Sequence, residues 1–194
     1  MTARVKERRA TYEDLLAVPE HLVAELIDGE LYTWPRPRVR HSSVALRLGG
    51  RLERAFDTGD DGPGVWRILI EPELRLHEDA LVPDLAGWRI EHAPGPDESR
   101  IATPPDWICE VLSSSTRAFD RGKKMAIYAR HGVEYAWLAD PVDRILEVKQ
   151  LQSGHWMELA VFPEGVIRAQ PFDAIEIDLD KIWGSSQSSP LPAP

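Results

Sequence analysis

Two six-residue segments do most to limit what this chain can fold into. Leu81-Val82-Pro83-Asp84-Leu85-Ala86 and Trp107-Ile108-Cys109-Glu110-Val111-Leu112 are apolar at both phases of the strand alternation, apart from Pro83 and one carboxylate in each. A strand with apolar residues pointing both ways must be covered on both faces. The chain therefore needs a sheet with a layer on either side, and 194 residues suffice to build it. The two carboxylates also need a physical account, because an unpartnered charge in such a strand is costly.

The remaining pattern supplies the layers. Thr11 to Ala17 reads as a short helix, with Thr11 as N-cap and Asp14 at the capping-box position. Asp28-Gly29 between the apolar runs 23–27 and 30–34 signals a tight hairpin, whose central residues need positive φ. His41 to Phe56 is an amphipathic helix with Val44, Leu48, Leu52 and Ala55 on one side. Strands are expected over 65–70 and 73–76, over 81–90 with an interruption at Pro83, and over 106–112. A helix follows over 120–131, ended by Gly132, and then strands at 135–139, 145–150 and 155–161. The fold class is a mixed α/β (α+β) domain with a central mixed sheet. One domain over 1–184 is expected, and the Ser/Pro-rich tail 185–194 is too poor in apolar residues to fold.

Composition narrows the setting. Cys109 is the single cysteine, so no intrachain disulfide can form, and its alternation away from Glu110 makes it a packing residue. The charged start lacks the apolar core of a signal peptide, and no apolar run approaches a membrane span, so a cytoplasmic protein is expected. The formal charge of −9 argues at first sight against nucleic acid. The acidity is concentrated in 55–110 and 151–194, however, and the other two blocks are mildly basic. Arg36, Arg38, Arg40, Arg47, Arg51 and Arg54 precede or occupy the first large helix. Arg117, Arg121, Lys123, Lys124 and Arg130 lie on or near the second, so a positive rim could form if both groups border one cleft.

Asp84 and Glu110 fall on neighbouring predicted strands. Either alone could end its strand in solvent or pair with an arginine; together they suggest oxygen ligation of a hard cation, with Mg²⁺ the usual occupant. In the following helix Asp120, Lys124 and Tyr128 share one face at i, i+4 and i+8. That spacing fits a surface ion pair. It also fits an ammonium at Lys124 turned back on the carboxylates, and spacing alone leaves the adjacent Lys123 open.

The ordered set Pro83-Asp84, Glu110-Val111-Leu112-Ser113, Asp120…Lys124…Tyr128 and Gly132-Val133-Glu134-Tyr135…Asp140-Pro141 resembles the Uma-two family of restriction-endonuclease-like proteins, within the PD-(D/E)XK nuclease superfamily. Glu25 to Leu31, Pro35, Pro37 and His41 fit the N-terminal part, so the resemblance runs over about residues 11–150. It implies a core of helix, three strands, helix, strand. It also implies Mg²⁺-dependent (or Mn²⁺-dependent) hydrolysis of nucleic acid, DNA foremost, with Asp84 and Glu110 holding the metal. The superfamily lysine expected two residues after the glutamate is Leu112 here, and Lys124 matches a lysine displaced to the next helix. Glu25 and His41 match further recurrent positions. Glu25 is either an additional acid near the metal or a hairpin-face charge; His41 either reaches the phosphate or metal site or is a cap or buried residue. Two alternatives remain open from the sequence. A non-catalytic binding or regulatory module on a nuclease fold is one, motivated by the missing lysine and the acidic surface. A metal phosphoesterase acting on small molecules, which predicts a closed pocket instead of an open cleft, is the other; separately, the strands 145–150 and 155–161 could make a homodimer.

Overall fold

The computed structural model describes residues 8–184. Helix α1 (Tyr12–Leu16) starts at Thr11, whose side chain accepts from the Asp14 N–H while Asp14 caps Thr11 in return. Asp28 and Gly29 take φ of 53° and 78°, and strand β1 (Leu22–Ile27) returns through them as β2 (Glu30–Pro35). Helix α2 (Val39–Leu52) buries Val44, Ala45, Leu48 and Leu52 and runs into a π-helical turn at Glu53–Asp57.

The next stretch corrects the sequence reading. Residues 65–90 form four short strands: β3 (Trp66–Ile70), β4 (Leu74–Leu76), β5 (Asp79–Leu81) and β6 (Leu85–Arg89). The chain leaves β3 at Glu71, with φ 47°, and Pro72, and it leaves β5 at Val82-Pro83-Asp84. Proline cannot donate into a ladder, so both proline sites end pairing. The middle pair, β4 and β5, crosses to a separate four-stranded sheet of order β2-β1-β5-β4. Asp84 therefore lies in the break between two sheets, not inside a strand.

Strand β7 (Trp107–Val111) is buried throughout. The helix expected over 120–131 begins earlier and is interrupted: α3 (Arg117–Phe119), a π-helical turn (Asp120–Lys124), then α4 (Met125–Arg130). It leads to β8 (Tyr135–Asp140), β9 (Ile145–Gln152) and β10 (His155–Phe162). Sequence periodicity did not yield β11 (Val166–Ile167), β12 (Ile177–Asp178) and α5 (Leu179–Trp183), each too short to show a period.

The main sheet has the order β10-β9-β8-β7-β6-β3. β3, β6 and β7 are antiparallel, β7 and β8 are parallel across the helical connection, and β8, β9 and β10 are antiparallel again. One face packs Leu85, Cys109 and Trp137 against Leu48 and Leu52 of α2, Phe172 and α5. The other packs Ala86, Ile108 and Leu138 against Ile27, Leu81 and Tyr128 of the small sheet and α4. The two-sided cover that the apolar strands demand is thus present, in a mixed α+β fold. Among the described residues no helix is long and apolar enough to cross a membrane. The tail 185–194 lies outside the described residues.

Candidate active site

The five residues singled out from the sequence meet at one end of the main sheet, where the small sheet abuts it. Leu85 of β6 pairs with Cys109 of β7. Asp84, one residue earlier, reaches across that end, and its Oδ2 accepts the Val111 N–H at 2.7 Å. His41, in the first turn of α2, places Nε2 3.2 Å from the same oxygen. Glu110 enters from β7 with its carboxylate 2% exposed, and Oε1 accepts from the Tyr128 hydroxyl at 2.6 Å.

Lys124 resolves the ambiguity between the two lysines. Its Nζ stands 2.8 Å from Glu110 Oε1 and 3.0 Å from Glu25 Oε1, and its side chain is 5% exposed. Lys123 turns outward to Glu30, 2.7 Å away, and to the Tyr32 hydroxyl. Glu25 is likewise buried and faces Lys124 instead of standing as an exposed charge on the hairpin. Glu25 and Lys124 also fix the strand break. Glu25 Oε1 accepts the Val82 N–H at 2.8 Å, and Lys124 Nζ donates to the Val82 carbonyl at 3.2 Å. One residue, Val82, two before Asp84, is thereby held at both its backbone N–H and its carbonyl.

Sequence reasoning left Asp120 as half of a surface pair. In the structure it is buried in the π-helical turn beside Lys124. Its spacing with Lys124 and Tyr128 was the available signal; the π turn, which such sites often contain, was not legible. Burial, with the nearby Asp84 and Glu25 charges, pushes the Asp120 carboxyl up to about 6, despite Lys124 and a Thr116 hydrogen bond. Burial also raises Glu110 well above the usual carboxylate range, with Asp120, Asp84 and Glu25 adding to the effect against Lys124. For Lys124, burial opposes the charge, but Glu110 and Glu25 outweigh it and hold the ammonium well above its ordinary value. His41 is similarly raised: burial acts against protonation and Asp84 overcomes it.

Glu110 and Glu25 thus flank the Lys124 ammonium directly, Asp120 is buried beside it, and Asp84 adds a fourth carboxylate close enough to act on Glu110 and Asp120. That surplus of hard oxygen donors suits a hard cation. Asp84 Oδ1 and Glu110 Oε2 take no hydrogen bond from the described residues, whereas Asp84 Oδ2 and Glu110 Oε1 are occupied. Among the described residues no three His, Cys, Asp or Glu side chains form a ready ligand cage. A divalent ion here would rely on two carboxylates, water and substrate oxygens, which is the habit of Mg²⁺. Leu112, where the superfamily lysine would stand, is a core residue 1% exposed.

The basic rim is only partly formed. Arg51 and Arg54 pair with Asp61, Arg117 with Asp140 and Asp143, Arg121 with Glu147, and Arg130 with Asp28. Arg36, Arg38 and Arg40 are exposed and, among the described residues, make no ion pair; Arg36 donates only to the Glu20 carbonyl.

Known proteins share this architecture. A crystal structure described as a putative nuclease from Anabaena variabilis matches with a TM-score of 0.72 at 19% identity, covering 89% of this chain and 97% of that one. At that identity the likeness establishes the fold. A protein of Synechocystis described as uncharacterized is 30% identical over 108 residues, 55% of this chain and 54% of that protein. The chain therefore spans about half the length of the curated relative it matches. The model of the Uma2 family, described as "Putative restriction endonuclease", matches residues 9–180, which include α1, all the strands and every residue of the carboxylate cluster. The chain belongs to the Uma2 family.

Proposed function

We propose that this protein is a divalent-metal-dependent endonuclease that hydrolyses phosphodiester bonds of nucleic acid, DNA foremost. The observation that carries the reading is the convergence of Asp84 and Glu110 on one sheet end, each with one oxygen that takes no hydrogen bond from the described residues, beside the buried Lys124. Asp84 and Glu110 are the metal ligands in this reading, and Mg²⁺ or Mn²⁺ would supply phosphate polarisation and an acidified water there. Lys124 offsets negative charge as it grows on the phosphoryl oxygens. His41 orients Asp84 through its Nε2 contact, and Glu25 holds the Val82 peptide and Lys124 in register. The test is cleavage of plasmid and oligonucleotide substrates with Mg²⁺ or Mn²⁺. Wild type should cut, and Asp84→Ala, Glu110→Ala and Lys124→Ala should each lose at least about a hundredfold. Cleavage that survives all three substitutions overturns the assignment.

One observation favours a second reading, a non-catalytic binding module. Glu110, Glu25, Lys124 and Tyr128 already satisfy one another without a metal. Calorimetric titration separates the two: heat of Mg²⁺ or Mn²⁺ binding that vanishes in Asp84→Ala supports the enzyme, and no heat at millimolar metal supports the module. A homodimer through β10 also belongs to this proposal. β10 is the edge strand of the main sheet, with Met157, Leu159 and Val161 39–49% exposed. Sedimentation should report a dimer that Leu159→Asp dissociates.

A further inference from the structure

Next to the carboxylates the surface turns aromatic. In the β1–β2 ribbon Tyr32 lies opposite Glu25, and Trp34 lies opposite Val23. Directly opposed residues share a face, and Glu25 turns this one toward Lys124. Phe119, the residue before Asp120, closes on both rings, with centroids 4.6 Å from Tyr32 and 4.7 Å from Trp34. All three side chains are half-buried, at the margin of the core and not within it. Lys123 lies 4.6 Å from the Tyr32 ring centroid and pairs with the exposed Glu30.

The chain leaves Trp34 as Pro35-Arg36-Pro37-Arg38-Val39-Arg40 and arrives at His41, which touches Asp84. Three guanidiniums that have no carboxylate partner among the described residues stand in five residues, around a Val39 that is 83% exposed. On a protein of charge −9, this is a path along which a polyanion can approach the cluster.

We propose that Tyr32, Trp34 and Phe119 form a stacking subsite for an unpaired base. The phosphates that adjoin this base run past Arg36, Arg38 and Arg40 toward Asp84. An aromatic platform accepts any base through its π-face, and phosphate contacts carry no sequence information. The subsite therefore selects single-stranded or locally unpaired nucleic acid, not a sequence. Bases inside a duplex are stacked on each other and must be extruded at a cost before they can use it. This inference rests on the nucleic-acid part of the proposed function and not on the hydrolytic part.

The test is fluorescence anisotropy of a labelled oligothymidylate of about 12 nucleotides, in EDTA, with the full chain. A strand of the same length made of abasic sites and the matching duplex serve as comparisons. The base-bearing strand should bind about tenfold more tightly than the abasic strand or the duplex. Trp34→Leu and Phe119→Leu should bring it down to the abasic level, and Trp34→Phe and Phe119→Tyr should retain most of the difference. Arg38→Ala and Arg40→Ala should weaken both strands alike and flatten the salt dependence. Equal affinity for base-bearing and abasic strands, or binding of neither, overturns the subsite whether or not the leucine variants fold. Cleavage is scored separately: stacking without cleavage removes only the hydrolytic reading, and cleavage with equal affinities removes only the subsite.

Discussion

Lys124→Met should destabilise the fold by about 3–5 kcal/mol near pH 8, the usual cost of breaking a buried ion pair from one side. The structure sets the terms. The ammonium is 2.8 Å from Glu110 and 3.0 Å from Glu25, and the three side chains are 5%, 2% and 7% exposed. At an effective dielectric of about 20, Coulomb attraction at these distances is roughly 6 kcal/mol for each contact. Desolvating the ions costs several kcal/mol apiece and cancels most of that gain. Removing the ammonium recovers only its own desolvation and leaves two buried carboxylates, plus a hydrogen bond lost at the Val82 carbonyl. Glu110, which burial already holds well above the usual carboxylate range, takes up a proton as pH falls, so the deficit should be smaller near pH 5. The assay is urea unfolding of wild type, Lys124→Met and Lys123→Met at both pH values. Lys123, paired on the surface, should leave the midpoint where it was. A Lys124→Met loss below about 1 kcal/mol near pH 8 would mean that water reaches the carboxylates, and the description of a buried cluster would fail.

Asp120→Asn should stabilise the protein near pH 8 relative to wild type and change little near pH 4. A carboxyl raised from 3.8 to about 6 contributes stability below its unfolded value, and that contribution is lost as pH rises through the folded one. The span is on the order of 3 kcal/mol for this buried group, and thermal melts across the range measure it. Tyr128→Phe removes the hydroxyl that donates to Glu110 at 2.6 Å and should cost about 1–3 kcal/mol in urea unfolding. A loss near zero would show Glu110 bonded elsewhere. Mg²⁺ or Mn²⁺ at about ten times its dissociation constant should raise wild-type stability by about 1.4 kcal/mol and leave Asp84→Ala unmoved. An equal rise in both would place the ion at another site.

The sequence was most informative where local chemistry decides. Asp28-Gly29 dictates its turn through φ, and Thr11 with Asp14 dictates a helix start, so both were readable to the residue. The apolar strand 107–111 reveals its two-sided burial because every position is apolar except Glu110. The fate of 65–90 was hidden because a four-way break depends on which sheet each fragment joins: β5 finds its partner about fifty residues earlier, in β1, and β4 joins that sheet only through β5. Glu25 could not be assigned a direction for the same reason: only the arrival of β5 and Lys124 makes its side of the hairpin an interior. Asp120 was hidden differently. At ordinary helical spacing it reads as a pair for Lys124, and the π turn that buries both leaves no periodic trace in five residues.

The break at Val82-Pro83-Asp84 ties stability to the proposed chemistry. A residue inside a two-sided strand can present its side chain to only one layer. Asp84, at the point where β5 and β6 part into different sheets, meets both: His41 comes from the α2 layer, while Glu25 and Lys124 hold the preceding turn from the other. Proline supplies the break, and the Glu25–Lys124 clamp gives it a fixed position. Lys124 therefore serves the site twice, as a charge beside Glu110 and as a strut for Asp84, and loss of cleavage in Lys124→Ala cannot by itself distinguish the two. Glu25→Gln can. The amide oxygen still accepts from the Val82 N–H, so the strut survives, while one of the two charges facing Lys124 is removed. If the strut is what matters, Glu25→Gln cleaves like wild type and Glu25→Ala does not; if the charge balance is what matters, both fall together.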